Sequence, residues 1–492
     1  MLPLTSATLS TLTGVAVPSY DRSALQPGIA HFGVGNFHRS HQAVYLDRYL
    51  NAGGSPKWGI VGIGISDSPA AREKARRFDE QDCLYTVTEL DPAGTSETRV
   101  IGSIIGYVHA PQAPERVLSL LSSPELHVVT LSITEGGYFI DEETGGFASG
   151  HPEVQKDCSR EHPRTVFGFI VRALQERRRL GLRPFTVASC DNLPHNGDVA
   201  RAAVVGYAAL MSDDLAAWVA DNAEFPNSMV DRVAPYVDDQ ARQELNQRTG
   251  IDDHLAVMAE SHIQWVLEDR FADGRPELEN VGVQVVDDVS GYETAKLRLL
   301  NAPHVLMSYP AVLAGYRIVN EAVADPLFRR LLETVMSEDV LPLMAGKLPA
   351  DLDANAYIQN TLARFGNRSI QDQLLRVASD GASKIPAFHT AIIRQMLLEG
   401  RDIRREALML ACFYRYLSGM DDRGQPFDVT EPSLSPAEQA DLRSAGPMAL
   451  LRQRKFAGLG AADDDRFVSA YRDASQLLQQ RGALEAVKSA LA

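Results

Sequence analysis

The sequence predicts an α/β fold in two domains, the second of which is mostly α-helical. Short apolar runs alternate with helical patterns up to about residue 285. Helical periodicity then dominates residues 286–492, with almost no alternating strand pattern. A length of 492 residues suffices for two to four ordinary domains. We therefore expect one domain at residues 1–285 and an all-helical domain at residues 286–492.

Four β-rich runs in the first domain are each followed by turn residues, which is typical of strands buried on both faces of a parallel sheet. Segments 114–121 and 165–180 lie between them, with apolar residues at helical spacing. The four runs are Gly28–Phe32, Gly59–Ile63, His127–Ile133 and Phe185–Cys190. Further strands, some of them antiparallel at an edge, are expected at 84–90, 100–105, 262–268 and 281–286.

The second domain shows eight helical patterns. They cover residues 292–319, 326–340, 370–377, 390–399, 406–419, 436–442, 465–480 and 483–491.

The composition favours a small-molecule enzyme in a reducing compartment. With 48 Lys and Arg against 64 Asp and Glu, the net charge is −16, which opposes binding to nucleic acid or anionic lipid. Four scattered cysteines form no disulfide framework and no zinc ligand pattern, so we expect no metal. The chain shows no targeting signal and no membrane-spanning run, which predicts a cytoplasmic protein.

A glycine-rich loop follows the first strand. Gly33-Val-Gly35-Asn-Phe37-His38-Arg39 stands where a Rossmann-type dinucleotide-binding domain directs backbone N–H groups at a pyrophosphate. Its residues Gly33, Gly35, Phe37, His38 and Arg39 are therefore candidates for cofactor binding. Because His38 replaces the third glycine of the usual pattern, a plain tight turn remains an equal alternative.

Asp67 follows the second strand, where an acid would accept hydrogen bonds from the adenosine ribose and repel a 2′-phosphate. This favours NAD over NADP. An Asp that caps the helix starting near Pro69 is the alternative, and the two roles can coexist. His38 and His41 have no third ligand nearby in the sequence, which disfavours a metal there.

The segment Glu293-Thr-Ala-Lys296-Leu-Arg-Leu-Leu-Asn301-Ala-Pro-His304 is the strongest candidate for chemistry. At about 100° per residue, Asn301 lies about 140° and His304 about 80° from Lys296 on a helix. Oxidation of an alcohol needs a base, and a buried lysine beside a positive nicotinamide can supply one. An amide can then hold the developing alkoxide. The alternative is a surface lysine that lies over Leu300, with Asn301 and His304 as satisfied polar residues at a domain junction.

Two polar turns follow other strands of the predicted sheet. Asn192 lies in the turn after Cys190, and Glu135 lies in the turn after Ile133. Open α/β sheets bind ligands at the carboxyl ends of their strands, so we expect both near the cofactor. An Asx-type loop is the alternative at Asn192.

Several blocks resemble the polyol-specific long-chain dehydrogenases, and above all their mannitol-specific members. They are Gly33–Gln42, Thr134–Tyr138, Ser189–Gly197, Phe225–Arg232 and the Lys296-x4-Asn301-x2-His304 pattern. The resemblance covers nearly the whole chain. It implies NAD-dependent, metal-independent oxidation of D-mannitol to D-fructose, the reverse reduction, and a monomer.

The resemblance also implies roles for single residues. Lys296 matches the general acid/base, Asn192 and Asn301 the amides that hold the reacting oxygen, and His304 a substrate-orienting residue. Glu293 matches an acid that influences proton passage to Lys296. Three further residues match positions that line the polyol site in the family: Asp231, Arg376 and Lys384.

Pro303 is a departure from regular helix geometry. It lacks the N–H that would bond the Leu299 carbonyl, and it biases Ala302 away from the αR conformation. We expect a kink or loop there that rotates His304 relative to Lys296.

Other activities remain open. A fructuronate or tagaturonate reductase fits, because Arg376 and Lys384 could bind a carboxylate. A dehydrogenase for D-arabinitol or sorbitol, or an inactive NAD-binding sensor, also fits. A zinc alcohol dehydrogenase is disfavoured by the cysteine spacing.

Overall fold

The structure is a computed structural model that describes residues 1–141 and 144–492. It divides into two compact units: Met1–Asp91 with Thr95–Ser290, and Gly291–Ala492 with Pro92–Gly94. The main division, after Ser290, lies five residues beyond the predicted boundary.

The strands belong to the first unit. In chain order they are β1 (Leu2–Pro3), β2 (Ile29–Phe32), β3 (Ile60–Gly64), β4 (Tyr85–Leu90), β5 (Ser96–Ile101), β6 (Ile104–His109), β7 (Val128–Leu131), β8 (Thr186–Ser189), β9 (Ser228–Asp231), β10 (Ile251–Asp252), β11 (Val257–Glu260), β12 (Gln264–Glu268) and β13 (Gln284–Val286).

A five-stranded parallel sheet in the order β6–β3–β2–β7–β8 forms the centre of this unit. All residues of β2, β7 and β8 are buried, as the apolar runs predict. Two mixed three-stranded sheets, β11–β4–β5 and β13–β12–β9, complete it with the short pair β1–β10. Because the central strands are parallel, their carboxyl ends share one edge.

The predicted strand at 100–105 is wrong as a single element. Gly102 and Ser103 separate β5 from β6, and β6 pairs with β3 at the edge of the central sheet. The short strands β9 and β11 have no clear alternation in the sequence and were not predicted.

The helices of the first unit surround these sheets. They are α1 (Asn36–Ser40), α2 (Gln42–Asn51), α3 (Pro69–Glu80), α4 (Pro114–Leu121), α5 (Pro152–Cys158), α6 (Val166–Leu180), α7 (Asn196–Met211), α8 (Asp213–Asn222) and α9 (Asp239–Thr249). Local signals fix their ends: the Thr165 side chain caps α6 by accepting from the Gly168 N–H, and Gly181 ends it at φ 70°.

The second unit is helical. Its helices are α10 (Ser290–Lys296), α11 (Ala302–Leu313), α12 (Val319–Ala324), α13 (Pro326–Thr334), α14 (Ala354–Phe365), α15 (Leu374–Ala378), α16 (Gly381–Glu399), α17 (Arg404–Tyr416), α18 (Pro436–Ala445) and α19 (Asp465–Leu491). Two π-helical segments, Leu297–Asn301 and Val335–Val340, follow α10 and α13. The predicted fold class, an α/β domain followed by a helical one, is confirmed.

Helix α11 lies at the core of the second unit, since every one of its residues except His304 is buried. The predicted helix at 292–319 is too long, because α11 ends at Leu313 and Gly315 follows at φ 96°. Helix α14 was not predicted. The predicted interruption after residue 480 is confirmed by Gly482, which breaks α19 with φ 79°.

None of the helices in residues 1–141 and 144–492 has the length and apolar character needed to cross a membrane.

Candidate active site

The loop after β2 depends on Gly33 for its shape. Gly33 has φ 93°, and a Cβ atom there would lie 1.9 Å from the Ser132 carbonyl oxygen. Gly35 differs, since its φ is −92° and a Cβ would meet nothing closer than 3.7 Å. As N-cap residue of α1, Gly35 offers no side chain to the first turn of the helix. The loop therefore presents a bare first turn, which suits a phosphate group.

His38 and Arg39 shape this loop from inside. The His38 ring is buried and stacks on His31, with the ring centroids 3.4 Å apart. Burial lowers the pKa of His38 well below its usual value, so the ring is neutral. Arg39 is also buried and donates to the carbonyls of Gly35 and Leu255. Both side chains can thus act on a cofactor only through the loop.

Phe37 lies on the same short helix and is half-buried. Its ring stacks on His41, with a centroid separation of 4.8 Å.

Asp67 lies three residues beyond the end of β3 and is exposed. Its Oδ1 lies 2.9 Å from Arg72 Nη2. The alternative in which Asp67 caps α3 is wrong, because Ser68 is the N-cap and its side chain accepts from the Ala71 N–H. Asp67 therefore remains available to the ribose of a bound nucleotide, with a cation beside it.

Asp191 joins the turns that follow β7 and β8. Its carboxylate accepts from the N–H groups of Ile133 and Thr134, each at 2.9 Å, and from the Tyr138 hydroxyl at 2.7 Å. Thr134 is held in a strained conformation with φ 61°. Sequence reasoning missed Asp191, although it directly precedes Asn192. This carboxylate sets the separation of the two turns.

The predicted residues Glu135 and Asn192 lie in these two turns and are both exposed. Asp231 ends β9 and is buried, with Oδ2 3.5 Å from His262 Nε2.

The chain from α10 to α11 is continuous helix with one irregular turn. The Ala302 N–H donates to the Leu297 carbonyl, five residues back, instead of four. Asn301 and Ala302 both keep αR geometry, so the expected departure of Ala302 from αR is wrong. The π turn, not a kink or loop, directly precedes Pro303.

This turn changes the relation of the three predicted side chains. Residues i and i+5 stand in a π turn about where i and i+4 stand in an α-helix. Asn301 then lies about 40° from Lys296, and His304 about 20° on the other side. The regular helix predicted a spread of about 140°. Glu293 stands on α10, three residues before Lys296.

His304 has a distinctive environment. Its ring stacks on Phe365 with centroids 4.2 Å apart, and burial lowers its pKa to about 4. Within the described residues, its buried Nε2 has no hydrogen-bond partner. A neutral imidazole with one unpaired nitrogen can orient a hydroxyl group without adding charge.

Arg376 and Lys384 lie close enough to His304 to depress its pKa further, while Asp372 opposes them. Arg376 pairs with Asp372 through two hydrogen bonds of 2.8 and 2.6 Å, and its side chain is 64% exposed. Lys384 Nζ donates to the carbonyls of Arg376 and Val377. The structure thus brings two of the predicted residues, Arg376 and Lys384, near the imidazole of a third, His304.

In the part of the chain that the structure describes, the four cysteines are free, and no three His, Cys, Asp or Glu side chains cluster as metal ligands do.

Comparison with known proteins identifies the family. Residues 27–280 match the mannitol dehydrogenase Rossmann domain, and residues 288–479 match the mannitol dehydrogenase C-terminal domain. The chain belongs to the mannitol dehydrogenase family. The predicted family resemblance is therefore confirmed, and the chain is an oxidoreductase.

Relatives of the mannitol dehydrogenase family match almost the whole chain. A polyol:NADP oxidoreductase of Gluconobacter oxydans is 42% identical, over 98% of this chain and 99% of its own. The crystal structure of a substrate-free D-sorbitol dehydrogenase superposes with a TM-score of 0.92 and 40% identity, covering 99% and 100% of the two chains. The structure of Pseudomonas fluorescens mannitol 2-dehydrogenase, in a ternary complex with NAD and D-mannitol, superposes with a TM-score of 0.89 and 39% identity. The match covers 100% of this chain and 99% of that one.

Proposed function

We propose that the protein is an NAD-dependent polyol dehydrogenase that oxidises D-mannitol at C2 to D-fructose and catalyses the reverse reduction. Family membership supports polyol oxidation, and the mannitol-bound relative supports this substrate. The observation that carries the mechanism is the π turn between Lys296 and Ala302.

The first unit has the features that NAD requires. Gly33 and Gly35 keep side chains away from the loop after β2, and Asp67 stands exposed beyond β3. When bound, NAD⁺ supplies the hydride acceptor for the polyol carbon. Asp67 would accept from the ribose hydroxyls, while Glu135 lies in a turn at the same sheet edge.

Lys296 is proposed to remove the hydroxyl proton as the carbonyl forms, and to return it during reduction. The amides of Asn192 and Asn301 are proposed to donate hydrogen bonds to the reacting oxygen. The π turn supports joint action of Lys296 and Asn301, because the two residues stand about one helical turn apart. Glu293 is proposed to pass the proton between Lys296 and water.

His304 is proposed to orient the substrate through its unpaired nitrogen. Asp231, Arg376 and Lys384 are proposed to bind further hydroxyl groups. Because Arg376 is already paired with Asp372, its guanidinium is less available to a substrate carboxylate. This favours an uncharged polyol over a hexuronate.

Steady-state kinetics tests the substrate and the cofactor together. We expect the highest kcat/KM with mannitol and NAD⁺, against sorbitol, D-arabinitol and NADP⁺, and a preference for fructose over fructuronate in reduction. A preference for NADP⁺, as the name of the Gluconobacter relative suggests for that protein, would contradict the role of Asp67. Activity should persist in EDTA; its loss and recovery with zinc would contradict metal independence.

The resemblance further supports a monomer, which light scattering of the purified protein would test. The cytoplasmic location remains a prediction from the sequence.

A further inference from the structure

A buried histidine and glutamate meet the backbone just after the π turn. His389 of α16 is fully buried, and its Nε2 lies 3.1 Å from the Ala302 carbonyl oxygen. Its Nδ1 lies 2.8 Å from Oε2 of Glu406 on α17. Glu406 is 1% exposed. None of these groups belongs to the set proposed to contact substrate.

The contacts of His389 require one additional proton. A neutral imidazole has one N–H donor and one lone pair, yet both of its neighbours here are hydrogen-bond acceptors. The pair is therefore either imidazolium with carboxylate or neutral imidazole with a protonated Glu406. Glu406 Oε1 has no hydrogen-bond partner among the described residues, so Oε2 is the carboxyl atom that holds the imidazole.

Both backbone polar groups of Ala302 are therefore hydrogen-bonded. Its N–H donates to the Leu297 carbonyl, which closes the π turn, and its own carbonyl accepts from His389. The neighbouring residue Asn301 belongs to the proposed catalytic set. Pro303, which follows, has no N–H with which to continue the regular hydrogen-bond pattern.

We propose that His389 and Glu406 form a proton-sharing pair that positions Asn301 and Lys296 by fixing the Ala302 carbonyl. Both are positioning residues. The proposal rests on the proposed function of Lys296, but its structural part, a π turn stabilised by the pair, is measurable without substrate.

Two substitutions of Glu406 separate the effect of its hydrogen bond to His389 from the effect of its packing. In Glu406→Gln the side-chain amide can donate to Nδ1, so a neutral His389 keeps its N–H for the Ala302 carbonyl. In Glu406→Leu that donor is lost while the apolar packing volume is nearly kept. We expect Glu406→Gln to retain kcat within about threefold. Glu406→Leu should lose about 10–100-fold in kcat, with the Kd of NADH unchanged, because small misplacements of catalytic groups are costly.

The double variant His389→Phe/Glu406→Leu removes both polar side chains, so neither is left buried without the other, while the Ala302 carbonyl loses its His389 donor. Its kcat should match that of Glu406→Leu. Hydrogen exchange of residues 297–304, measured by mass spectrometry, should accelerate in both leucine variants and not in Glu406→Gln.

The outcomes separate the two proposals. Equal kcat and equal exchange for Glu406→Gln and Glu406→Leu would overturn the positioning role, even if the double variant does not fold. Faster exchange in the leucine variant, with no polyol turnover by the wild type, would support the pair and contradict the proposed function.

Discussion

The sheet edge of the first unit and the Lys296 segment of the second unit position their functional groups in different ways. At the sheet edge, strand ends and one carboxylate, Asp191, set the places of two turns. Along the Lys296 segment, an irregular helical turn sets the angle between side chains. The first arrangement depends on hydrogen-bond partners and backbone conformation, and the second depends on helix register.

Replacement of Lys296 tests the helical arrangement most directly and should have the largest effect. Lys296→Ala removes the proposed base, so kcat should fall by about 10²–10⁴-fold, the usual range for loss of general acid–base catalysis. NADH binding, followed by fluorescence, should be unchanged. Lys488→Ala, at an exposed lysine of α19, serves as control. Near-normal turnover of Lys296→Ala would contradict the mechanism.

The two loop glycines test the backbone requirement of the sheet edge. Gly33→Ala places a Cβ atom 1.9 Å from a carbonyl oxygen at a positive φ, which should cost about 3 kcal/mol or more in the free energy of unfolding. Gly35→Ala has room and should fold normally, with weaker NADH binding. Urea unfolding and NADH titration compare the pair. Equal stability of the two variants would rule out the proposed loop geometry.

Asp191→Ala tests the hydrogen-bonded side of the sheet edge. Two backbone N–H groups and the Tyr138 hydroxyl would lose their acceptor, which should lower the free energy of unfolding by about 3 kcal/mol. The kcat should also fall, because Glu135 and Asn192 would no longer be held in place. Asp214→Ala, at an exposed ion pair, should change stability by less than about 1 kcal/mol. Similar losses in both variants would argue against a special role for Asp191.

Acid pH gives the smallest expected effect and reports on His304. The histidine is neutral in both states above pH 6.5, but below that the unfolded chain takes up a proton that the folded chain accepts only near pH 4. Stability is therefore lost as the pH falls, by about 1 kcal/mol at pH 5.5. His304→Asn should flatten this slope in urea titrations between pH 7 and 5. His151→Asn, a substitution of an exposed histidine, is the control. If it flattened the slope equally, the slope could not be assigned to His304.

The central sheet could be predicted from sequence because its strands are short, apolar and bounded by turns. The strand at 100–105 could not be resolved, since the break at Gly102 and Ser103 lies within an otherwise β-rich run. The same limit applies to β9, whose four residues include a serine and an aspartate.

The positions of candidate site residues were predictable where those residues directly follow a strand of the central sheet. Glu135 and Asn192 are the examples. The burial of His38 and Arg39 was not predictable, because it depends on His31 of β2 and on Leu255 in the turn before β11. Nor could local sequence indicate His389 or Asp191, whose partners come from other parts of their units. Pro303 was the sign of irregular helix geometry in the sequence. It indicated where the irregular turn lies, but not that the turn is π-helical.

The π turn also determines how this segment tolerates changes in length. A chain lacking one residue between Lys296 and Ala302 could restore regular α-helical hydrogen bonding, and the resulting helix need not be less stable. Residues four apart in the shortened helix would then stand where residues five apart stand in the π turn, so the helix on either side would keep nearly its present angle. A deletion within the regular part of α11 would instead turn the residues before it by about 100° relative to those after it. The π turn is therefore the place in this segment where the loss of one residue should disturb the alignment of the proposed catalytic side chains least.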